Sequence, residues 1–397
     1  MKCRKLPNGN WECYEEGPRD PYTNKRNPIR KQAKSKTAAQ IKVKESLKIL
    51  ESGIDGRTAN RVFFQETAAE WFEVYAHSGV KKSTLRSRDS TVKLINRYIG
   101  DMLIGRITHQ HIQDMLMDLH RKGASKSQIT HVKVTANFVF VHAQKQRLRL
   151  DNPVNLVIMP KRRRTVEEIE SVEIKEKYFE REELTTFLNA ARDIGLIFDE
   201  EWFYLIAFTG MRAGEVCSLK WSDIDFEESR IRITKTMDSP GAVEEYELTP
   251  PKSHQSIRVV DIESDTLNLL RRLKVRQMEN RLKYRKATDN YHDMNFVFCR
   301  PTTGYPYSAK FIYRRYLRIC EKSGIGKRDG PHLLRHTHIT MLTEAGIDLD
   351  TIMNRVGHSD AKTTKNIYTH VTKRMKRNAP NQLKIHYGEI FGKFFDA

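Results

Sequence analysis

The hydrophobic pattern changes period several times along the chain, and each change marks an element. From Thr37 onward, Ala39, Val43, Leu47 and Leu50 recur three or four residues apart, the stripe of an amphipathic helix. Ahead of it, Asn8-Gly9-Asn10 is a turn signal followed by Trp11 and Tyr14, which predicts a short strand or hairpin. Between about Phe63 and Val157 the segments "TAAEWFEVYAHSG", "STLRSRDSTVKLINRYIG", "THQHIQDMLMDLHRKG" and "SKSQITHVKVTANFVFVHAQKQ" all carry helical spacing. Each begins near Ser or Thr and most end at Gly, so four helices are expected, with Trp71, Phe72 and Tyr75, and Leu94, Ile95 and Tyr98, as buried stripes.

The periodicity then fades through "MPKRRRTVEEIESVEIKEK", which we take as an interdomain linker. "FEREELTTFLNAARD" opens a new helix, with Glu182 and Glu183 in the first turn, where carboxylates favour the positive end of the helix dipole. "SRIRITKTM" alternates at period two, and "EEYELTPPKSHQSIRVVDI" predicts two more strands about a turn of Pro250, Pro251 and Lys252, with Lys252 at a hairpin tip. Further helices run to the C-terminus, where Ile390, Phe391, Phe394 and Phe395 form an apolar stripe that either packs on its own domain or docks on a neighbouring subunit. The expected fold is multidomain α+β. It comprises a small sheet-plus-helix N-terminal domain (1–56), a four-helix domain (63–160) and a mainly helical domain with a small antiparallel sheet and a C-terminal tail (174–397).

Composition narrows the partners. The 397 residues hold 70 Lys and Arg against 50 Asp and Glu, a formal charge of +20. The excess is clustered: from Lys25 to Lys48, nine basic residues face the single acid Glu45, and Lys161 to Arg164 form a second run. Clustering of this kind points to a phosphate backbone rather than to mere solvation. No apolar run approaches the roughly 18 residues of a membrane span, and Met1 begins no signal segment, so a cytoplasmic, membrane-free protein is expected. The cysteines (Cys3, Cys13, Cys217, Cys299 and Cys320) are scattered and odd in number, with no CxxC or Cys/His cluster, so all are expected to be reduced thiols and no metal site is implied.

Phosphodiester chemistry without a metal requires a nucleophile, fixed positive donors around the non-bridging oxygens and an acid for the leaving oxygen. "FTGMRAGEVCSLKW" supplies Arg212, with Glu215 one turn on. "GPHLLRHTHITML" places His332 and Arg335 on one helix face, while Leu333, Leu334 and Leu342 can face a core. "IMNRVGHSDAKTTKNIYTHV" sets His358 after Gly357 and ahead of Tyr368. Singly, these residues have ordinary explanations as surface, capping or packing groups. Their joint order with Lys252 does not.

Arg212, Lys252, His332-x-x-Arg335, Gly357-His358 and Tyr368 together resemble the tyrosine recombinases of the phage-integrase family over about Phe179 to Val371. The four-helix segment is similar to that family's core-binding domain. The basic opening segment resembles the arm-binding domain of integrases from temperate phages and integrative conjugative elements of Gram-positive bacteria. The resemblance implies that Tyr368 attacks a scissile DNA phosphate to give a 3′-phosphotyrosyl link, that Arg212 and Arg335 clamp the phosphate, and that Lys252 protonates the 5′-oxygen. It further implies that His332 and His358 relay protons and hydrogen-bond the phosphate, with Glu215 in support and no cofactor. The implied partners are double-stranded attachment sites, three further copies of the chain in a homotetramer, and an excision factor or DNA-bending protein. Tyr387 is the alternative nucleophile. A non-cutting DNA-binding regulator, a chromosome-dimer resolvase and a topoisomerase-like enzyme are the competing functions. Val356 departs from the family pattern, standing where Leu is commoner.

Overall fold

The computed structural model describes residues 1–19, 26–51, 61–160, 178–251, 254–288, 290–357, 364–369 and 371–372. All of the expected linker after Pro160, together with Lys252, His358, Tyr387 and the apolar tail, lies outside these residues. The chain divides into two compact units, Met1–Thr165 and Val166–Ala397.

In the first unit, strands β1 (Lys2–Lys5), β2 (Trp11–Arg19) and β3 (Arg26–Ala33) form an antiparallel sheet in that order. The turn signal is realised at Gly9, whose φ of +80° is open to glycine, and the Leu6 amide donates to the Asn10 carbonyl across it. Helix α1 (Lys36–Glu51) lays Ala39 and Val43 on Cys13 and Ile29, a small buried core. The expectation of five reduced thiols fails here. Cys3 and Cys13 are direct cross-strand partners with Cα atoms 4.1 Å apart, and they form a disulfide. Strand register brings them together, a pairing that scattered, odd-numbered cysteines do not reveal. Cys217, Cys299 and Cys320 are buried free thiols.

Four further helices, α2 (Phe64–Ala76), α3 (Lys82–Ile99), α4 (His109–Arg121) and α5 (Lys126–Lys145), share one apolar core. Trp71 and Ile95 are its buried members from the expected stripes, while Phe72, Tyr75, Leu94 and Tyr98 border it partly exposed. Ser125 caps α5, its hydroxyl accepting from the Gln128 amide at 3.1 Å. The α3–α4 connection is secured by Arg149, a buried cation whose Nη1 donates to the carbonyls of Ile104 (2.9 Å) and Ile107 (3.1 Å) while Nη2 pairs with Asp151 at 2.9 Å.

In the second unit, α6 (Arg181–Asp193), α7 (Asp199–Thr209), α8 (Ala213–Cys217), α9 (Ser264–Arg285), α10 (Ala309–Lys322), α11 (His332–Glu344) and α12 (Leu349–Val356) surround a core rich in aromatic rings. Phe187, for example, lies 5.1 Å from Phe203 and 5.2 Å from Tyr316 between ring centroids. Strands β4 (Ile224–Asp225), β5 (Arg230–Ile233) and β8 (Arg258–Asp261) form one antiparallel sheet, whereas β6 (Thr236–Asp238) and β7 (Glu247–Thr249) form a separate ribbon. The strands flanking Pro250-Pro251 therefore do not pair with each other as the expected hairpin. Two successive prolines donate no ladder hydrogen bonds, and β7 and β8 instead find partners in β6 and β5. The multidomain α+β architecture is otherwise as expected.

Replacing Arg149 by Met leaves the Ile104 and Ile107 carbonyls without their donor, and denaturant unfolding of the full chain should register a loss of about 2–4 kcal/mol. Asp151→Asn removes only the exposed end of that pair, so its cost should stay below about 1 kcal/mol.

Candidate active site

Helix α7 ends at Gly210, where φ is +65° and a Cβ would lie 2.8 Å from His338 Cδ2 and 3.1 Å from Val356 Cγ1. Only glycine satisfies both the left-handed backbone and the close approach. The chain turns there and places Arg212 at the N-terminal cap of α8. The Arg212 amide donates to Glu215 Oε2 at 3.0 Å, and Arg212 Nη1 donates to Glu215 Oε1 at 2.8 Å. From the opposite side, Arg258 donates Nη2 to Oε2 at 3.0 Å and Nη1 to Oε1 at 3.3 Å. Burial alone raises the pKa of Glu215, which is 3% exposed, but the Arg258 charge and hydrogen bond, then the Arg212 amide and charge, outweigh it and lower the pKa below its usual value.

Arg335, on α11, is fully buried. Its Nη1 donates to the Gly210 carbonyl and its Nη2 to the Val356 carbonyl at 2.5 Å, while its Nε has no partner among the described residues. Burial, then the Arg212 charge, pushes its pKa down, and Glu215 opposes that. At the end of α12, three successive carbonyls are held by three different guanidinium groups. Arg258 Nε takes that of Arg355 (2.7 Å), Arg335 that of Val356, and Arg212 Nη2 that of Gly357 (3.2 Å). The last carbonyls of a helix lack intrahelical donors and carry the negative end of its dipole, so cations are favoured there.

His332 lies one helical turn before Arg335 on α11, its ring 5.0 Å from that of His336. His332 as a residue is exposed, yet the protein atoms around its ring desolvate it, and that, then the neighbouring His336, Arg335 and Arg212, pushes its pKa down to about 4 against the pull of Glu215, so the ring is uncharged at neutral pH. Leu333 and Leu334 are buried in the main core, and Leu342 borders a smaller cluster. Residues 364–369 are helical. Tyr368 is half-buried there, packed on a cluster of Ile339, Ile352 and Val356, and Thr372 Oγ1 donates to its carbonyl at 2.8 Å. The fold thus gathers Arg212, Glu215, His332 and Arg335. Tyr368 joins them through Val356, whose side chain packs in the same cluster and whose carbonyl holds Arg335. Lys252 and His358 lie outside the described residues. Among those described, no group of three His, Cys, Asp or Glu could hold a metal ion.

The motif search missed Arg258, although the pattern carried a signal. Along β8, Arg258 is in phase with the buried Val260, while Val259 and Asp261 point outward. A cation in an inward position needs a buried anion. The search also passed over His338, whose Nδ1 faces the Ala207 carbonyl at 2.9 Å and whose Nε2 receives Arg355 Nε at 3.1 Å. A neutral ring protonated on Nδ1 satisfies both contacts, and burial, then the Arg355 charge, holds its pKa down to about 3. Val356 Cγ1 would lie 3.1 Å from a Cβ at Gly210, which gives the departure from Leu a steric setting.

The Phage integrase family is matched over residues 177–375, and the phage integrase N-terminal SAM-like domain over residues 63–120. The prophage ps2 probable integrase of Lactococcus lactis is 30% identical over 390 residues, covering 95% of this chain and 97% of that protein. Among solved structures, the Tn1549 transposon integrase in complex with transposon right end DNA superposes with a TM-score of 0.63 at 21% identity, covering 81% of this chain and 99% of that one. A lambda integrase tetramer bound to a Holliday junction gives a TM-score of 0.55 at 20% identity, over 92% and 94% of the two chains. These two establish the fold, and the family match with the Lactococcus relative establishes the kinship: the chain belongs to the phage integrase family of tyrosine-type site-specific recombinases.

Proposed function

We propose that this recombinase is the integrase of a mobile genetic element, cutting and rejoining DNA strands at attachment sites to integrate and excise that element. The observation that carries the reading is the set of guanidinium groups of Arg212, Arg258 and Arg335 gathered around one carboxylate and one helix end, immediately before the segment that bears Tyr368. Arg212 and Arg335 make this cluster an anion site whose donors match the non-bridging oxygens of a phosphodiester, while Arg258 is spent on Glu215 and backbone carbonyls. The prophage origin of the Lactococcus relative and the transposon origin of the structural neighbour support the mobile-element setting.

In this reading the Tyr368 oxygen attacks phosphorus and the bond to the 5′-oxygen breaks, leaving a 3′-phosphotyrosyl link and a free 5′-hydroxyl. Lys252 supplies the proton taken by the 5′-oxygen. Arg212 and Arg335 bear the charge that develops on the phosphate. His332, held neutral, is in the form that accepts a proton, and it shares the relay and the phosphate hydrogen bonds with His358. Glu215 keeps the Arg212 fork in place. Because the phosphotyrosyl link conserves the energy of the broken bond, resealing needs neither ATP nor a metal.

Segment 1–56 would bind arm-type sites, 63–160 would bind the core site beside the catalytic domain at 174–397, and the active assembly would be a homotetramer on DNA, served by an excision factor or DNA-bending protein. Acting on cellular DNA, the protein would work in the cytoplasm. No helix among the described residues is long and apolar enough to cross a membrane.

The decisive experiment uses a nicked attachment-site duplex that traps the covalent intermediate, in EDTA and without ATP. Wild type should form a protein–DNA adduct and Tyr368→Phe should not; an adduct persisting in Tyr368→Phe would move the nucleophile elsewhere, Tyr387 first, and tight binding without any adduct would favour a regulator. Deleting residues 1–55 should abolish arm-site binding in a gel-shift assay while core-site binding survives. His332 also fixes a pH dependence. Its folded-state pKa of about 4 lies below its ordinary 6.5, so in that window the unfolded chain binds the extra proton and stability falls as the pH falls. Because His332 is exposed, solvent screening cuts the effect, and urea titrations at pH 7 and pH 5 should show His332→Asn losing about 0.3 kcal/mol less per pH unit than wild type.

A further inference from the structure

A residue outside the motif, Arg258, shares the buried Glu215 carboxylate with Arg212. Its side chain is almost wholly buried, on the inward side of β8, opposite Ile233. It spends its donors in four places: both Glu215 oxygens, the Arg355 carbonyl and the Ser256 carbonyl, the last at 3.2 Å. The backbone closes on it as well. At Gly357, where φ is +65°, a Cβ would lie 3.0 Å from Arg258 Nη1 and 3.2 Å from Ser256 Cα. Ser256 Oγ donates to the Gly357 carbonyl at 3.3 Å, the same oxygen that Arg212 Nη2 holds.

We infer that Arg258 is a positioning residue of the recombinase site: through Glu215 it orients the Arg212 guanidinium towards the phosphate, and through the Arg355 carbonyl it fixes the end of α12 from which Gly357 and His358 depart. The inference rests on the proposed recombinase reading. Arg258 itself does not touch the reacting atoms, because its donors are used on protein groups. Without it, Glu215 keeps the Arg212 amide and Nη1 but loses one of its two cations and two of its hydrogen bonds, so the carboxylate shifts and the Arg212 guanidinium moves with it. Lysine cannot take over. One ammonium on a flexible stem does not span two carboxylate oxygens and two carbonyls lying in different directions.

The step at risk is stabilisation of charge on the non-bridging oxygens, and that gives a readout which loss of folding does not imitate. Arg258→Met and Arg258→Lys are compared with wild type in single-turnover cleavage of the nicked duplex, once with an ordinary scissile phosphate and once with a methylphosphonate, which carries no charge there. On the phosphate, both variants should cleave roughly a hundredfold more slowly than wild type, and on the methylphosphonate within about threefold of it, while core-site affinity is unchanged. An equal loss on both substrates would reduce Arg258 to a structural support and overturn the inference, as would wild-type rates in Arg258→Lys. Should Arg258→Met fail to fold, Arg258→Lys carries the same comparison. Wild type forming no adduct on the phosphate would sink the recombinase reading and this inference with it. An active wild type with an indifferent Arg258 would sink the inference alone.

Discussion

The site hangs on one carboxylate buried among guanidinium groups. Glu215, shielded from solvent, would take up a proton if it stood there alone, and an unpaired Arg258 beside it would be strongly destabilising. Each makes the other tolerable, and Arg212 shares the same two oxygens. The balance is nevertheless incomplete. Arg212, Arg258 and Arg335 bring three positive charges against the one negative charge of Glu215. The end of α12 offsets part of the remainder, since the carbonyls at a helix C-terminus together present about half an elementary charge. What is left over is positive, fixed and partly desolvated, and a DNA phosphate is a natural group to neutralise it.

Two glycines make this concentration of charge geometrically possible. Gly210 ends α7 and Gly357 ends α12, both in the left-handed region, and a Cβ on either would press into a neighbour: His338 and Val356 at the first, Arg258 and Ser256 at the second. Each glycine also offers its carbonyl to a site arginine, Gly210 to Arg335 and Gly357 to Arg212. The helix ends are therefore both the steric hinge of the site and part of its hydrogen-bonding surface. His338 and Arg355 brace the same junction from the far side, with Arg355 also reaching the Phe208 carbonyl at 3.3 Å.

Much of this was legible in the sequence, for reasons that can be traced to particular residues. The helices of the bundle followed from apolar spacing, because Ile95, Leu116 and Val139 bury one face each. Arg212, Glu215, His332 and Arg335 stood out through their joint order with Lys252, Gly357-His358 and Tyr368, since singly each has an ordinary explanation. What escaped depends on pairing between distant segments. Arg258 becomes a site residue only when β8 pairs with β5 and α12 closes over it, and the Cys3–Cys13 bridge exists only in the register of β1 against β2. The misassigned β7–β8 hairpin has the same origin: adjacency in sequence suggested a partner that two prolines and a competing strand ruled out.

Tyr368 stands in an apolar environment, and that fits the division of labour proposed for it. Tyr368 packs on Ile339, Ile352 and Val356, none of which can activate a phenol. Ile352 and Val356 belong to α12, the helix whose last carbonyls the arginines hold, and Ile339 belongs to α11, the helix that carries His332 and Arg335. Packing on these two helices ties Tyr368 to the charged cluster. A rigid clamp can be built once, from buried ion pairs and helix ends, while the proposed nucleophile sits in the helical residues 364–369. The hydrophobic contacts set where Tyr368 stands, and in the proposed reaction the guanidinium cluster sets what it does when a phosphate lies between them.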